Sequence, residues 1–151
     1  MEQITPTHSR IASFKAQTVK DITQSAKSIL NKVSVKVALD ELQAQALDLL
    51  SVTNERGELL GTVSKNKMNR EVGGFGHDPK TEPVEAHIER NNAYCFEDQT
   101  VTEAEQIMLK AKVVEVLVVT RERLLVGTIK IVAIAEQPGR RERWEHLISD
   151  Q

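Results

Sequence analysis

The sequence predicts an α/β fold of two pseudo-symmetric β-α-β-β-α repeats, and three observations predict it. Between Ala93 and Ala133 the chain reads as strand, helix, strand, strand and short helix. Phe14-Lys15-Ala16-Gln17-Thr18-Val19 matches Phe96-Glu97-Asp98-Gln99-Thr100-Val101 at four of six positions. Leu50 to Val63 then parallels Leu117 to Ile129, hairpin for hairpin.

In chain order, residues 1–10 are polar, with Pro6, and read as a tail or an edge strand. Thr18, with Asp21 three residues on, has the form of a helix cap. Ile22, Ala26, Ile29 and Val33 follow at i, i+4, i+7 and i+11, which is one face of a helix. VSVKV (33–37) alternates like a strand, while LDELQAQALDLL (39–50) is made of strong helix formers. Asn54 to Gly57 is a tight turn with glycine at the place that needs positive φ. The stretch from Val19 to Gly61 is much longer than the one from Val101 to Gly127. The first copy is therefore expected to carry an insertion near 32–47, beyond one extra turn residue. An alternative register starts the first copy at Val33, since the stretch from Val37 to Gly61 comes close in length to that of the second copy. The Phe-x-x-Gln-Thr-Val match favours the longer copy.

GGFGHDPKTEP (73–83) holds three Gly and two Pro, breaks helix and strand alike, and reads as the join between the copies. In the second copy Ala93 to Phe96 has strand length, and Thr100 with Glu103 forms a capping box. Val101, Ala104, Met108 and Ala111 fall on one helix face. VEVLVV and LLVGTI are β-branched runs around Arg121-Glu122-Arg123, a turn one residue shorter than its counterpart and without the glycine. Pro138-Gly139 punctuates again, and Trp144, Leu147 and Ile148 give a last short helix one apolar stripe. The expected organisation is a first repeat over 1–72, a linker over 73–83, a second repeat over 84–137 and a tail over 138–151.

A length of 151 residues allows a real core without staples, and a net charge of −2 gives no pull toward nucleic acid or anionic membrane. Three Phe, one Tyr and one Trp leave little surface for base stacking. The single cysteine, Cys95, excludes an internal disulfide and reads as a small core residue. No signal peptide and no membrane-length apolar run is visible, so a cytoplasmic location is expected. His8, His77, His87 and His146 lack metal-type spacing, which leaves them structural or solvated. His77-Asp78 has no nucleophile near it in sequence. Gly73-Gly74-Phe75-Gly76 lacks the strand-to-helix frame of a phosphate loop. Arg140, Arg141 and Arg143 are balanced by Glu142, Glu145 and Asp150.

The duplicated unit resembles the cystathionine β-synthase (CBS) domain pair, over about Ile11 to Gln137. Val84 to Phe96 is similar to that family's lead-in segment and first strand, Asp98-Gln99-Thr100-Val101-Thr102-Glu103-Ala104 to its helix start, and Val116 to Ile129 to its hairpin before Gly-h-h. The resemblance implies two repeats packed about a pseudo-two-fold, a homodimer, a regulated attached or partner protein, and an adenosine nucleotide (AMP, ADP or ATP) between the repeats. It implies no catalysis. The family's ligand motif is Gly-h-h-[Ser/Thr]-x-x-Asp. Here Gly61 and Ser64 match it, but Lys67 stands at the Asp position. In the second copy Gly127 matches, Lys130 replaces the hydroxyl and Ala133 the Asp. Both ribose carboxylates are missing, so the resemblance points to a more phosphate-rich ligand. The candidate ligand residues are Gly61, Ser64, Lys67, Lys130 and Tyr94, with the Ser64 cleft preferred. A ligand-free dimerisation module and a small enzyme completed by a partner are the alternatives. The homodimer is also expected because one small sheet cannot cover helix faces carrying Ile22, Ile29, Ala104 and Met108.

Overall fold

The computed structural model describes residues 18–73 and 76–140. The first repeat comprises β1 (Ser28–Leu30), α1 (Val35–Gln45), β2 (Leu49–Thr53), β3 (Leu59–Ser64) and α2 (Lys65–Glu71). The second comprises β4 (Tyr94–Phe96), α3 (Val101–Ala111), β5 (Glu115–Val119), β6 (Leu125–Lys130) and α4 (Ile131–Ala135). A 3₁₀ turn precedes each, at Val19–Ile22 and at Val84–His87. Each repeat forms one three-stranded sheet, its first strand parallel to the second and its second antiparallel to the third.

Every element of the second repeat starts at the same distance along the chain from its counterpart: 28 and 94, 35 and 101, 49 and 115, 59 and 125, 65 and 131. The insertion expected near 32–47 is therefore absent. The shared signal is Ser34-Val35-x-x-Ala38 against Thr100-Val101-x-x-Ala104, and the stretch from Val35 to Gly61 is as long as the one from Val101 to Gly127. Ser34 caps α1 by accepting from Val37 N at 3.2 Å, so VSVKV opens a helix and is no strand. Thr100 caps α3 the same way, accepting from Glu103 N at 3.1 Å while Glu103 Oε1 accepts from Thr100 N at 2.9 Å. Both helices end on a left-handed residue, Ala46 (φ 55°) and Lys112 (φ 58°).

The helix expected from Thr18 through Val33 does not form. Val19 and Lys20 donate to the carbonyls of Gln99 and Glu97 at 2.8 and 3.0 Å, and the helix stops after one turn because Thr23 is extended and Gln24 pairs with Thr128 in an antiparallel bridge. Thr18 and Thr100 are not equivalents but partners in an antiparallel bridge. Phe14 to Gln17, most of the misleading match, lie outside the described residues, as do Trp144, Leu147 and Ile148. The second hairpin turn is not shorter either. Arg123 takes φ 71° at the place that Gly57 (φ 85°) fills in the first repeat. Thr120 Oγ1 accepts from Leu124 N at 3.0 Å, as Asn54 Oδ1 accepts from Glu58 N.

The lead-in segments are crossed. Gln24 pairs with Thr128 of the second repeat through bonds of 2.9 and 2.8 Å, and Glu89 pairs with Thr62 of the first through bonds of 2.7 and 3.0 Å. The crossing carries into the cores. Val19 is buried with Cys95, Val101, Ala104, Met108, Val118, Ile129 and Ile134, whereas Val84 is buried with Val35, Leu42, Leu50, Val52, Val63 and Met68. Glycine in the Gly-h-h motif follows from this arrangement. A Cβ on Gly61 would lie 2.2 Å from Glu89 O, and one on Gly127 would lie 2.0 Å from Gln24 O. Around the pseudo-two-fold, Leu59 N donates to Arg123 O at 2.9 Å and Leu125 N to Gly57 O at 3.0 Å.

The burial corrects the argument for a homodimer. Ala104 and Met108 are buried within the chain, and Ile22 and Ile29 pack partly buried against the two cores. Ala111 is exposed, at the end of α3. The exposed large apolar residues include Leu47, Leu49, Val113 and Val114.

Candidate ligand cleft

A cavity of about 450 Å³ opens between the repeats. The pairing of Gln24 with Thr128 lays Ser25, Ala26 and Lys27 beside the end of β6, which contributes Thr128 and Lys130. The antiparallel register sets Glu115 across from Lys130 and Leu117 across from Thr128. The start of β2 closes the other wall with Leu47, Asp48, Leu49 and Ser51. The cleft thus combines apolar wall, hydroxyls and an amide, two cations (Lys27, Lys130) and two carboxylates (Asp48, Glu115). Such a lining suits a ligand with one apolar face and a charged end.

Of the five expected residues the cavity takes one, Lys130. The symmetry-related place, where Ser64 and Thr62 stand for Lys130 and Thr128, is knitted together by the protein itself. Ser64 Oγ accepts from Lys67 N at 3.1 Å, and Lys67 Nζ pairs with Glu89 Oε1 at 3.0 Å. Asn92 Nδ2 donates to Thr62 Oγ1 at 3.0 Å, leaving Asn92 Oδ1 buried with no partner among the described residues. Gly61 lies under the Glu89 carbonyl.

Tyr94 is engaged elsewhere. Its ring meets Phe96 edge-on at 5.6 Å, and Arg123 sits 4.9 Å over it while donating to its hydroxyl at 3.1 Å. Arg121 covers Phe96 at 4.1 Å and donates to both oxygens of Asp98, which holds that carboxyl below the usual range. The Cys95 thiol, pushed up to about 11 by burial, is a core group.

Gln24 to Lys27, Asp48 and Glu115 were missed by the sequence reading. The register that aligns Val35 with Val101 places residues 24–27 in the lead-in to β1 and makes the starts of β2 and β5 counterparts, but no local signal shows that Gln24 bridges to Thr128. Among the described residues, no group of three His, Cys, Asp or Glu is arranged to hold a metal ion.

The element order, the paired sheets and the cleft between them define the class: the chain has the fold of a CBS-domain pair. It resembles a CBS-domain-containing protein of unknown function from Bacillus anthracis, with TM-score 0.67 and 14% identity over 97% of this chain and 99% of that one. The cytosolic domain of the Mg²⁺ channel MgtE, solved in complex with ATP, matches with TM-score 0.66 and 18% identity over 85% of this chain and 51% of that one. A CBS-domain pair solved with 5′-methylthioadenosine and S-adenosyl-L-methionine matches with TM-score 0.57 and 23% identity over 78% and 92%. In sequence, the A-adding tRNA nucleotidyltransferase of Aquifex aeolicus is 33% identical over 93 residues, which is 61% of this chain but only 11% of that enzyme. No known family model matches the chain.

Proposed function

We propose that the chain is a regulatory module without catalysis of its own. It takes an adenine nucleotide or another phosphate-bearing ligand between its repeats and signals as a homodimer to an attached or partner protein. The observation that carries this reading is the cleft beside β6. There Lys27 and Lys130 supply positive charge for phosphate, while Asp48 and Glu115 offer acceptors for ribose hydroxyls in place of the missing motif Asp. The adenosine ligands of two solved neighbours support the ligand class. Similarity to a short part of a much longer enzyme supports an attached partner. Gly61, Ser64 and Lys67 stand at the symmetry-related place, which would admit a ligand only once Lys67 leaves Glu89. The repeats are assigned to 1–72 and 84–137, with 73–83 as the join and 138–151 as a tail. No described helix is long and apolar enough to cross a membrane, and a cytoplasmic location suits the reading.

Titration calorimetry with adenosine, AMP, ADP and ATP tests it, on the wild type and on Lys27→Ala plus Lys130→Ala. ATP should bind more tightly than adenosine, and the gap should shrink in the double variant and with added salt. Adenosine binding as tightly as ATP refutes the phosphate assignment. Absence of all binding favours the ligand-free dimerisation module.

A further inference from the structure

One of the two joints carries a histidine cluster where its lead-in segment docks. His87 ends the second 3₁₀ turn and is 3% exposed. Its Nδ1 lies 2.6 Å from Glu71 Oε1, in the last turn of α2, and its Nε2 is bonded to Glu82 Oε2 of the connector. The other Glu82 oxygen meets His77 Nδ1 at 2.7 Å. A neutral imidazole has a single N–H, so both His87 contacts can be donations only when the ring is a cation. Without the extra proton, a ring lone pair faces a carboxylate and the two glutamates lose the charge between them. Lys67 and Arg70 of α2 act on Glu71 from a distance, but neither replaces that N–H. The other joint is built from different residues. Ile22 stands two places before Gln24, as His87 stands two places before Glu89. Gln137 lies as far past the start of α4 as Glu71 lies past the start of α2. Neither side chain titrates.

We propose that protonation of His87 latches the second lead-in segment onto the first repeat, so that this joint responds to pH while its symmetry mate does not. The latched segment carries Glu89, which pairs with the Thr62 backbone and with Lys67, and then Asn92, which holds Thr62. Release of the proton therefore loosens the side of the molecule where Ser64 and Lys67 are tied down. The window has two edges. The His87 contact holds Glu71 below the usual carboxylate range, and the His77 contact, followed by that of His87, does the same for Glu82. The glutamates' share of the latch is therefore present above the ordinary carboxylate range and is lost as pH falls through their lowered values. The other edge follows from geometry: with a single N–H the ring can donate to only one of Glu71 and Glu82, so the latch is weaker without the second proton.

Amide hydrogen exchange on the full chain between about pH 5.5 and 8, the interval in which histidine changes charge, tests the latch. The protection of Thr62 and Glu89 is divided by that of Thr128 and Gln24, so the other joint serves as internal reference. The ratio should fall about tenfold across the interval, the order expected for one charge-assisted hydrogen bond. It should stay flat in His87→Gln and still fall in His77→Gln. A flat wild-type ratio, a fall that survives His87→Gln, or a fall abolished by His77→Gln overturns the proposal. Should His87→Gln fail to fold, the wild-type ring can be titrated by NMR. A His87 midpoint that does not coincide with the fall in protection overturns it equally.

Discussion

Gly127→Ala probes the crossing of the lead-in segments most directly. No left-handed φ is involved at this residue, so the effect of a methyl group is steric. The new Cβ would sit 2.0 Å from Gln24 O and 2.9 Å from Thr23 Cγ2. Backbone cannot yield as the end of a flexible side chain can, so residues 19–24 must lift away from β6. The loss then comprises the two Gln24–Thr128 backbone bonds, about 1 kcal/mol each. To this is added the burial of Val19, about 2 kcal/mol. The expected destabilisation is about 4 kcal/mol when the whole segment lets go. For a chain of this size that lowers Tm by roughly 8–16 °C. Urea unfolding measures the free energy, and hydrogen exchange locates it: Gln24 and Thr128 should lose protection before Thr62 and Glu89 do. Gly139→Ala is the control, since Gly139 has φ 83° and open space around its Cβ position, so only backbone strain of about 1 kcal/mol is expected. A Gly127→Ala loss no larger than the control's would refute the steric argument.

Other perturbations follow from single contacts. Thr100→Ala should cost about 1 kcal/mol in urea unfolding by removing the α3 cap. Lys112→Gly should stabilise by roughly 0.5–1 kcal/mol, because a left-handed residue ends α3 there without glycine. Arg140→Ala removes the 2.9 Å partner of Glu105, whose side chain is fully buried on α3, and should cost up to about 3 kcal/mol in the same assay. Cys95, with its thiol raised to about 11, should resist iodoacetamide at pH 8 in the native state and react at the rate of global opening.

The fold class was legible in the sequence because local chemistry and tertiary structure agree in the second repeat. Thr100 and Glu103 cap the helix that its apolar spacing announces, and the β-branched runs pair as a hairpin. The first repeat was misread where tertiary bonds overrule local pattern. The segment from Ile22 to Val33 has helical spacing, yet its lead-in is held by carbonyls of the other repeat. Val33 to Val37 has strand alternation, yet Ser34 captures the Val37 amide and starts a helix. Ser64 stands at a motif position and Lys67 in place of the motif Asp, but their engagement with each other and with Glu89 is a matter of side-chain reach that spacing does not encode. Gln24 to Lys27 became visible as cleft residues only once their bridge to Thr128 was known.

The crossed segments also bear on how the molecule can be divided. Each repeat finishes its core with a valine supplied by the other, so a cut in the 73–83 connector would leave two fragments that each lack a piece of their own interior. A single half would have to find a second chain to supply that piece, which is the geometry of a domain-swapped dimer made from one unduplicated unit. Joined in tandem, the halves exchange those pieces within one chain, at an effective concentration set by the connector and independent of dilution. The pair should accordingly fold and unfold in one transition, with the slow step being the meeting of segments far apart along the chain.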